Sequence, residues 1–121
     1  MANDSLFGVH GAALEVRAQR MGLLASNIAN ASTPGFKAKD LDFHSALAAA
    51  EQAEGANGNA GGVDLTSATK YRMPTQPSLD GNTVELSTEQ AAFAENAVAY
   101  QTTLSFLNGR ISEITRALKG E

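Results

Sequence analysis

From Phe93 to the end of the chain the apolar residues keep one rhythm. Phe93, Ala97, Tyr100, Leu104, Leu107, Ile111, Ile114 and Leu118 follow one another at alternating spacings of four and three. That spacing is the seam of a coiled coil. Ser87 with Gln90 three residues on reads as a capping box for the start of the helix. Glu89 and Glu95 sit early, while Arg110, Arg116 and Lys119 sit late, which suits the helix dipole, and Gly120 ends the run. Residues 88 to 118 therefore predict a rod about 46 Å long at ~1.5 Å per residue. A helix of that length with a single apolar stripe needs a partner along all of it.

The matching stripe lies at the other end of the chain. Phe7, Gly11, Leu14, Ala18, Met21, Ala25 and Ile28 repeat the same spacing, with Asn3, Asp4 and Ser5 as candidate N-caps. This seam is thin, because its small residues bury little area. Gly8, Gly11 and Gly22 also weaken the helix, by up to ~1 kcal/mol each relative to Ala. Two readings follow: a two-helix core inside a monomer, or a seam shared among subunits. The second is favoured. The chain has no Trp, two Tyr and five Phe, and no Cys to supply a disulfide or thiolate metal staple. The two terminal helices should lie antiparallel, because the middle segment can then leave and return at one end.

The first helix has a marked stop. After Leu24 come Asn27 and Asn30, then Thr33-Pro34-Gly35-Phe36. Asn favours helix ends, Pro34 cannot continue a helix, and Gly35 supplies the positive φ of a type II turn. Asp42 can cap a short helix through Ala53. Residues 55 to 62 are Gly/Asn-rich and read as flexible. Val63 to Met73 reads as a short strand or arm closed by Pro74 and Pro77. Asp80-Gly81-Asn82 marks a turn before a short strand, Thr83 to Leu86. The expected fold is mainly α: long N- and C-terminal helices packed as an antiparallel coiled coil, with a partly irregular middle segment containing a short helix and short β-strands. Residues 1–36 and 87–121 would form one helical domain, and 37–86 a partly flexible middle segment.

Composition and motifs exclude much. A net charge of −4 and a pI near 5.1, with scattered basic residues, do not make a nucleic-acid footprint. No apolar run approaches the ~20 residues of a membrane span, and the N-terminus lacks the pattern of a cleaved signal peptide. His10 and His44 have no second ligand at metal spacing. Asp40 and Asp42 read as helix-capping residues rather than a carboxylate pair. The glycine stretch lacks the Lys-Ser/Thr of a phosphate loop, and Ser26 has no nucleophile context. No catalytic residue, metal site or cofactor is expected, and the chain is not read as an enzyme.

The run Ala25 to Lys37, with its Asn-x-x-Asn-x-x-Thr-Pro-Gly-Phe spacing, resembles the N-terminal signature of bacterial flagellar rod and hook proteins. Arg17 and Arg20 before it, Asp40-Leu41-Asp42-Phe43 after it and Asp80 to Leu86 further on bring the resemblance closest to the proximal members of the basal-body rod family. The resemblance implies a structural subunit that self-assembles with other axial proteins and transmits motor torque. It implies an assembly seam through Leu14, Met21, Ile28, Phe93, Tyr100, Leu104, Leu107, Ile111, Ile114 and Leu118, a signature turn at Asn27, Asn30, Thr33, Pro34, Gly35 and Phe36, and inter-subunit contacts at Arg17 and Arg20. The partners it implies are further copies of the chain, the adaptor FliE, the next rod protein FlgC, the MS ring and the export gate. The implied location is the periplasmic rod of the basal body, reached by export without a cleaved signal peptide. Phe43 and Leu47 resemble a short export motif, although an i, i+4 packing pair explains them equally well. The alternative reading is a cytoplasmic helical adaptor or secretion chaperone, which would melt cooperatively as an isolated monomer or dimer.

Overall fold

The structure, a computed structural model, describes residues 8–57 and 64–120, with side chains described outside 54–57. Six elements follow in chain order: α1 (Gly8–Ala29), β1 (Lys39–Leu41), α2 (Phe43–Asn57), a 3-10 turn (Thr66–Ala68), β2 (Thr69–Tyr71) and α3 (Leu86–Lys119). The expected caps at Asn3, Asp4 and Ser5, and the seam residue Phe7, lie outside the described residues.

The terminal helices pack antiparallel, as expected of a middle segment that leaves and returns at one end. The His10 ring stacks on Phe106 with centroids 5.4 Å apart. Further along, the Asn96 amide donates to the Arg17 carbonyl at 2.9 Å, and the Asn27 amide donates to Glu89 at 2.9 Å. Residue numbers rise on α1 as they fall on α3. With 34 residues, α3 is about 51 Å long at ~1.5 Å per residue. α1 is the shared element, packing on α3 and also on α2 and β1.

The buried seam is not centred on the expected stripe. On α3 the buried residues are Glu89, Ala92, Asn96, Thr103 and Leu107. Their period matches the expected one, but the set is rotated by about one residue. Of the expected stripe only Leu107 is buried; Phe93, Tyr100, Leu104 and Ile114 are half-buried, and Ile111 and Leu118 are exposed. On α1, Leu14, Met21 and Ile28 are likewise half-buried. The reason is chemical. On α3 small and polar groups, two of which bond to α1, hold most of the buried positions, while α1 buries Ala12, Ala13, Val16, Leu24 and Asn27, and the large residues of the expected stripe other than Leu107 lie along the margin.

The hydrophobic cluster joins α1 to the middle segment through Ala12, Val16, Leu41, Ala46, Ala50, Leu65 and Ala68. Four of these seven are alanines, so the elements approach closely but bury modest area.

Four local expectations change. The Ser87 capping box does not form: α3 starts two residues early, with Glu85 at the N-cap and no side-chain cap bond, so Ser87 lies inside the first turn. Thr83 to Leu86 is not a strand; it is held by isolated bonds to residues 36–38, and Leu86 already belongs to α3. The arm from 63 narrows to a three-residue strand after a 3-10 turn, with Val63 outside the described residues. Part of the Gly/Asn stretch is helical, because α2 runs through Asn57; residues 58–62 of it lie outside the described residues.

β1 and β2 form an antiparallel pair, with Lys39 opposite Tyr71, Asp40 opposite Lys70 and Leu41 opposite Thr69. Asp42 precedes α2 as expected: its carboxylate accepts from the Ser45 hydroxyl and its carbonyl from the Ala46 N–H. Among the described residues no helix is long and apolar enough to cross a membrane.

Candidate functional site

Two distant sequence segments meet where α1 ends. The chain leaves the helix through successive backbone bonds, Asn30 N–H to Ser26 and Asn27, Ala31 N–H to Ile28 and Thr33 N–H to Asn30. The Asn30 amide donates to the Ser26 carbonyl at 2.8 Å, and the Thr33 hydroxyl donates to the Asn30 amide oxygen. Pro34 and Gly35 then make the turn, with Gly35 at φ 77° and the Phe36 N–H returning to the Thr33 carbonyl. This is the type II arrangement that Pro-Gly predicts. Phe36 is half-buried behind it.

A helix end leaves carbonyls without partners. Here the chain continues in turns past Ala29, and Asn82 adds a side-chain donor to the carbonyls of those turns. It is buried, and its amide N–H₂ donates to the carbonyls of Asn30, Ala31 and Thr33 at 2.9, 3.1 and 2.8 Å. Its amide oxygen accepts from the Val84 N–H at 2.7 Å. Around it, the Gly35 N–H donates to the Asp80 carbonyl, the Thr83 N–H to the Phe36 carbonyl, the Ala38 N–H to the Thr83 hydroxyl, and the Lys37 ammonium to the Gly81 carbonyl. Gly81, at φ 81°, allows the turn that aims Asn82 inward.

Asn27 does the same work one turn earlier. Its amide donates to the Lys39 carbonyl at 2.8 Å and its oxygen accepts from the Lys39 N–H at 3.1 Å. The side chain thus pairs with the outer edge of β1 as a neighbouring strand would. Its second donor goes to Glu89.

Beside Asn27 runs an ion network that ties four elements. Arg20 of α1 grips Asp40 of β1 with two bonds, 2.8 and 3.0 Å. Arg72, just past β2, donates to Asp40 at 2.8 Å. Its Nε lies 2.9 Å from the fully buried Glu89 of α3, at ion-pair distance but off line for an N–H···O bond. Burial pushes the Asp40 carboxyl up, but the Arg20 bond, the Leu41 N–H and the charges of Arg20 and Arg72 outweigh it and hold the carboxyl below its usual range. The Asp40 bond and charge likewise keep Arg20 cationic. Asp40 is therefore not a helix cap, as expected from sequence, but the centre of this network.

Other expected site residues are placed as follows. Arg17 lies with its guanidinium 4.7 Å over the Phe43 ring, and Arg20 is held by Asp40, so both are engaged inside the chain. Phe43 and Leu47 pack half-buried against the hydrophobic cluster. The structure thus brings Asn27, Asn30, Thr33 and Phe36 into one corner with Arg20, and spreads the stripe residues along the helix pair. Sequence reasoning missed Arg72 altogether. It read Asn82 as a turn residue and Glu89 as a dipole partner. The signal available for Asn82 was its place in Asp-Gly-Asn, where a turn with a positive φ ends in an amide. Among the described residues no three His, Asp or Glu side chains converge to hold a metal ion.

A corner stitched by amides, with its charges paired, holds shape; it presents no nucleophile–base pair. Comparison with known proteins agrees in kind. The family model described as flagella basal body rod protein matches residues 7–37, which span α1 and the signature turn. The flagellar basal body rod protein FlgB of Cereibacter sphaeroides is 50% identical over 120 residues, covering 94% of each chain. The protein of that name from Aeromonas hydrophila is 45% identical over 98% of this chain and 96% of its own. That of Escherichia coli K12 is 40% identical over 88% of each.

Proposed function

The chain belongs to the FlgB family of flagellar basal body rod proteins, and from that premise we propose how it builds a rod. It is a structural subunit of the basal body, not an enzyme. The adaptor or chaperone alternative has no support among these relatives. The observation that carries the assembly reading is the rotation of the buried seam. The large apolar residues of the expected stripe, Leu107 apart, line the margins of the α1–α3 pair half-buried or exposed, while Val16 and Leu24 of α1 are buried. In a rod these margins close against neighbouring subunits. Leu14, Met21 and Ile28 of α1 and Phe93, Tyr100, Leu104, Ile111, Ile114 and Leu118 of α3 form that surface, with Leu107 anchoring it from within. Coiled-coil packing between copies and other axial proteins then continues the in-chain packing.

The corner gives such a subunit its stiffness. The turn Asn27 to Phe36, stitched to residues 80–89, fixes the angle at which the middle segment leaves the helices, so load passes between them without a hinge. Arg17 and Arg20 would make inter-subunit contacts only in addition to their bonds inside the chain. The partners that fit this reading are the adaptor FliE, the next rod protein FlgC, the MS ring and the export gate, with the assembled chain in the periplasmic rod after export without a cleaved signal peptide. Phe43 and Leu47 pack on the core of the folded chain, so an export role for them belongs to the unfolded chain.

The test is fractionation. The protein should co-purify with detergent-washed hook–basal bodies, and absence from them would overturn the reading. Leu118→Asp should leave the isolated protein's helix content unchanged, because Leu118 is 83% exposed, yet remove it from basal bodies and stop swarming. A motile Leu118→Asp strain would sink the assembly role of that margin.

A further inference from the structure

The two edges of the small sheet are treated differently. The outer edge of β1 is closed, because Asn27 pairs with both the N–H and the carbonyl of Lys39. The outer edge of β2 is open at Tyr71, whereas at Thr69 the N–H is taken by the Thr66 carbonyl. Bonds from the Arg72 N–H to the Ala38 carbonyl and from the Asp42 N–H to the Ala68 carbonyl fix the ladder. With Lys39 opposite Tyr71, those two residues form a non-hydrogen-bonded pair, and the Tyr71 N–H and carbonyl point away from β1. Among the described residues they meet no partner. A bare strand edge is a template for another strand, which proteins commonly blunt or cover. Here the neighbouring side chains invite contact: Tyr71 is 66% exposed and Met73, two residues on, 84%.

We propose that this β2 edge takes an extended, acidic segment of another basal-body protein as a third strand; the proposal rests on the rod reading above. The charge of the surface selects the class. Lys39 holds its ammonium 5.4 Å from the Tyr71 ring with no ion-pair partner among the described residues, and Lys37 is exposed nearby with its ammonium on the Gly81 carbonyl, whereas Lys70 pairs with Asp42 at 3.5 Å. The carboxylate on β1, Asp40, is turned to Arg20 and Arg72 on the opposite face. An incoming strand would add backbone bonds at Tyr71, lay alternate apolar side chains along Tyr71 and Met73, and meet Lys39 with a carboxylate. Pro74, which has no N–H, bounds the site at one end. Toward the other end the sheet runs on to a groove lined by Gly22, Leu23, Leu41, Leu65 and Asp64, whose carboxylate is taken by the Thr66 N–H and hydroxyl.

A second copy of this chain fits worse. Antiparallel pairing of two β2 edges about Tyr71 would set Lys70 of one against Arg72 of the other, and the segment from Thr69 to Met73 carries no carboxylate to meet Lys39. The chain's own acidic extended stretch, Asp80 to Glu85, is bound at the corner through Asn82 and Thr83.

The test uses the chain in motile cells with the photo-reactive residue benzoylphenylalanine in place of Tyr71. After irradiation, hook–basal bodies are purified and the adduct is mapped by mass spectrometry. The expected adduct joins position 71 to a carboxylate-bearing, non-helical segment of a different protein. Lys39→Glu should lower its yield about three- to fivefold, the scale of an exposed ion pair. Lys in place of the mapped carboxylate should restore the yield. An adduct to a second copy or to a helical segment would overturn the proposal. So would no adduct at 71 where the same probe at Leu118 cross-links. The amount of chain in the same basal bodies is read separately: normal incorporation without the adduct refutes the strand-addition proposal alone, whereas absence of the chain refutes the rod reading and this proposal with it.

Discussion

At the corner formed by residues 27–40 and 80–89, backbone and side-chain polar groups find partners inside the chain. The turn carbonyls after α1 meet Asn82, the edge of β1 meets Asn27, and Asp40 meets two arginines. Along α3 from Asn108 onward the situation reverses. Of residues 108–119 only Ile114 is even half-buried, while Ile111 and Leu118 stand exposed among Arg110, Arg116 and Lys119. One region is completed by its own chain. The other has the apolar stripe of a long coiled-coil helix without, among the described residues, the partner that stripe requires. The difference fits the division we propose, in which the corner sets the shape of one subunit and the far end of α3 is finished by other subunits. Substitutions should therefore act on stability at the corner and on assembly at the far end.

The hardest test of that division is Arg72→Ala. Glu89 is fully buried, and Arg72 is the cation beside it. Removing one partner of a buried pair typically costs about 3–5 kcal/mol, because the other charge is left uncompensated. The urea midpoint of the isolated protein should fall accordingly, and Glu89→Gln in the same chain should recover part of the loss. Equal stability of the single variant and wild type would show that the network is ornamental. Asn82→Ala comes next. It strips the side-chain donor from the carbonyls of Asn30, Ala31 and Thr33, of which Asn30 and Thr33 keep a backbone N–H, and the acceptor from the Val84 N–H. With buried groups costing about 1–3 kcal/mol each when unpaired, and with water able to reach part of this turn, the expected loss is about 2–3 kcal/mol. Proteolysis should then cut first between residues 30 and 38, whereas Leu118→Asp should leave that cleavage rate unchanged.

Acid should act on the corner more weakly and only at low pH. Asp40 is held below its usual range, so its contribution is fully present above the unfolded carboxyl pKa of about 3.9. It is lost as pH falls through the lower folded value. Stability should therefore change little from pH 7 to 5 on this account and decline below about 4. The check is the difference between wild type and Asp40→Asn: the gap should be constant above pH 5 and shrink toward pH 3.

What could be read from the sequence follows from how each feature is encoded. The pair of long helices was legible because a stripe at spacings of four and three repeats over many turns, and its antiparallel order because the middle segment can leave and return at one end. The turn at Pro34-Gly35 was legible because two residues fix its dihedrals locally. The seam's true centre was not, since it depends on which side chains bond across the pair. Glu89 and Asn96 are polar in the sequence and buried in the structure only because Asn27, Arg72 and the Arg17 carbonyl meet them. The start of α3 was misplaced for a similar reason. Ser87 has a good capping pattern, but Asn82 holds Val84 and Thr75 holds the Glu85 carboxylate, and the helix begins there instead. Asp40 was taken for a cap because its partners lie 20 and 32 residues away.

Glycine gives the finest discrimination between the two regions. At the corner Gly35 and Gly81 have φ of 77° and 81°, where an L side chain is strained by roughly 1–2 kcal/mol. In the middle of α3, Gly109 has ordinary helical dihedrals and open space where a Cβ would stand. Alanine there meets nothing in its own chain and should raise helix stability by up to ~1 kcal/mol. A Gly109→Ala variant more stable than wild type, and Gly81→Ala less stable, is thus expected from thermal melts of the isolated protein. If the far end of α3 is an assembly surface, the same Gly109→Ala change should also reduce swarming, because a methyl group harmless in one chain stands where a neighbouring helix must approach closely. Full motility with raised stability would mean that no neighbour packs tightly at Gly109, and would move the assembly surface to the margin defined by Ile111 and Leu118.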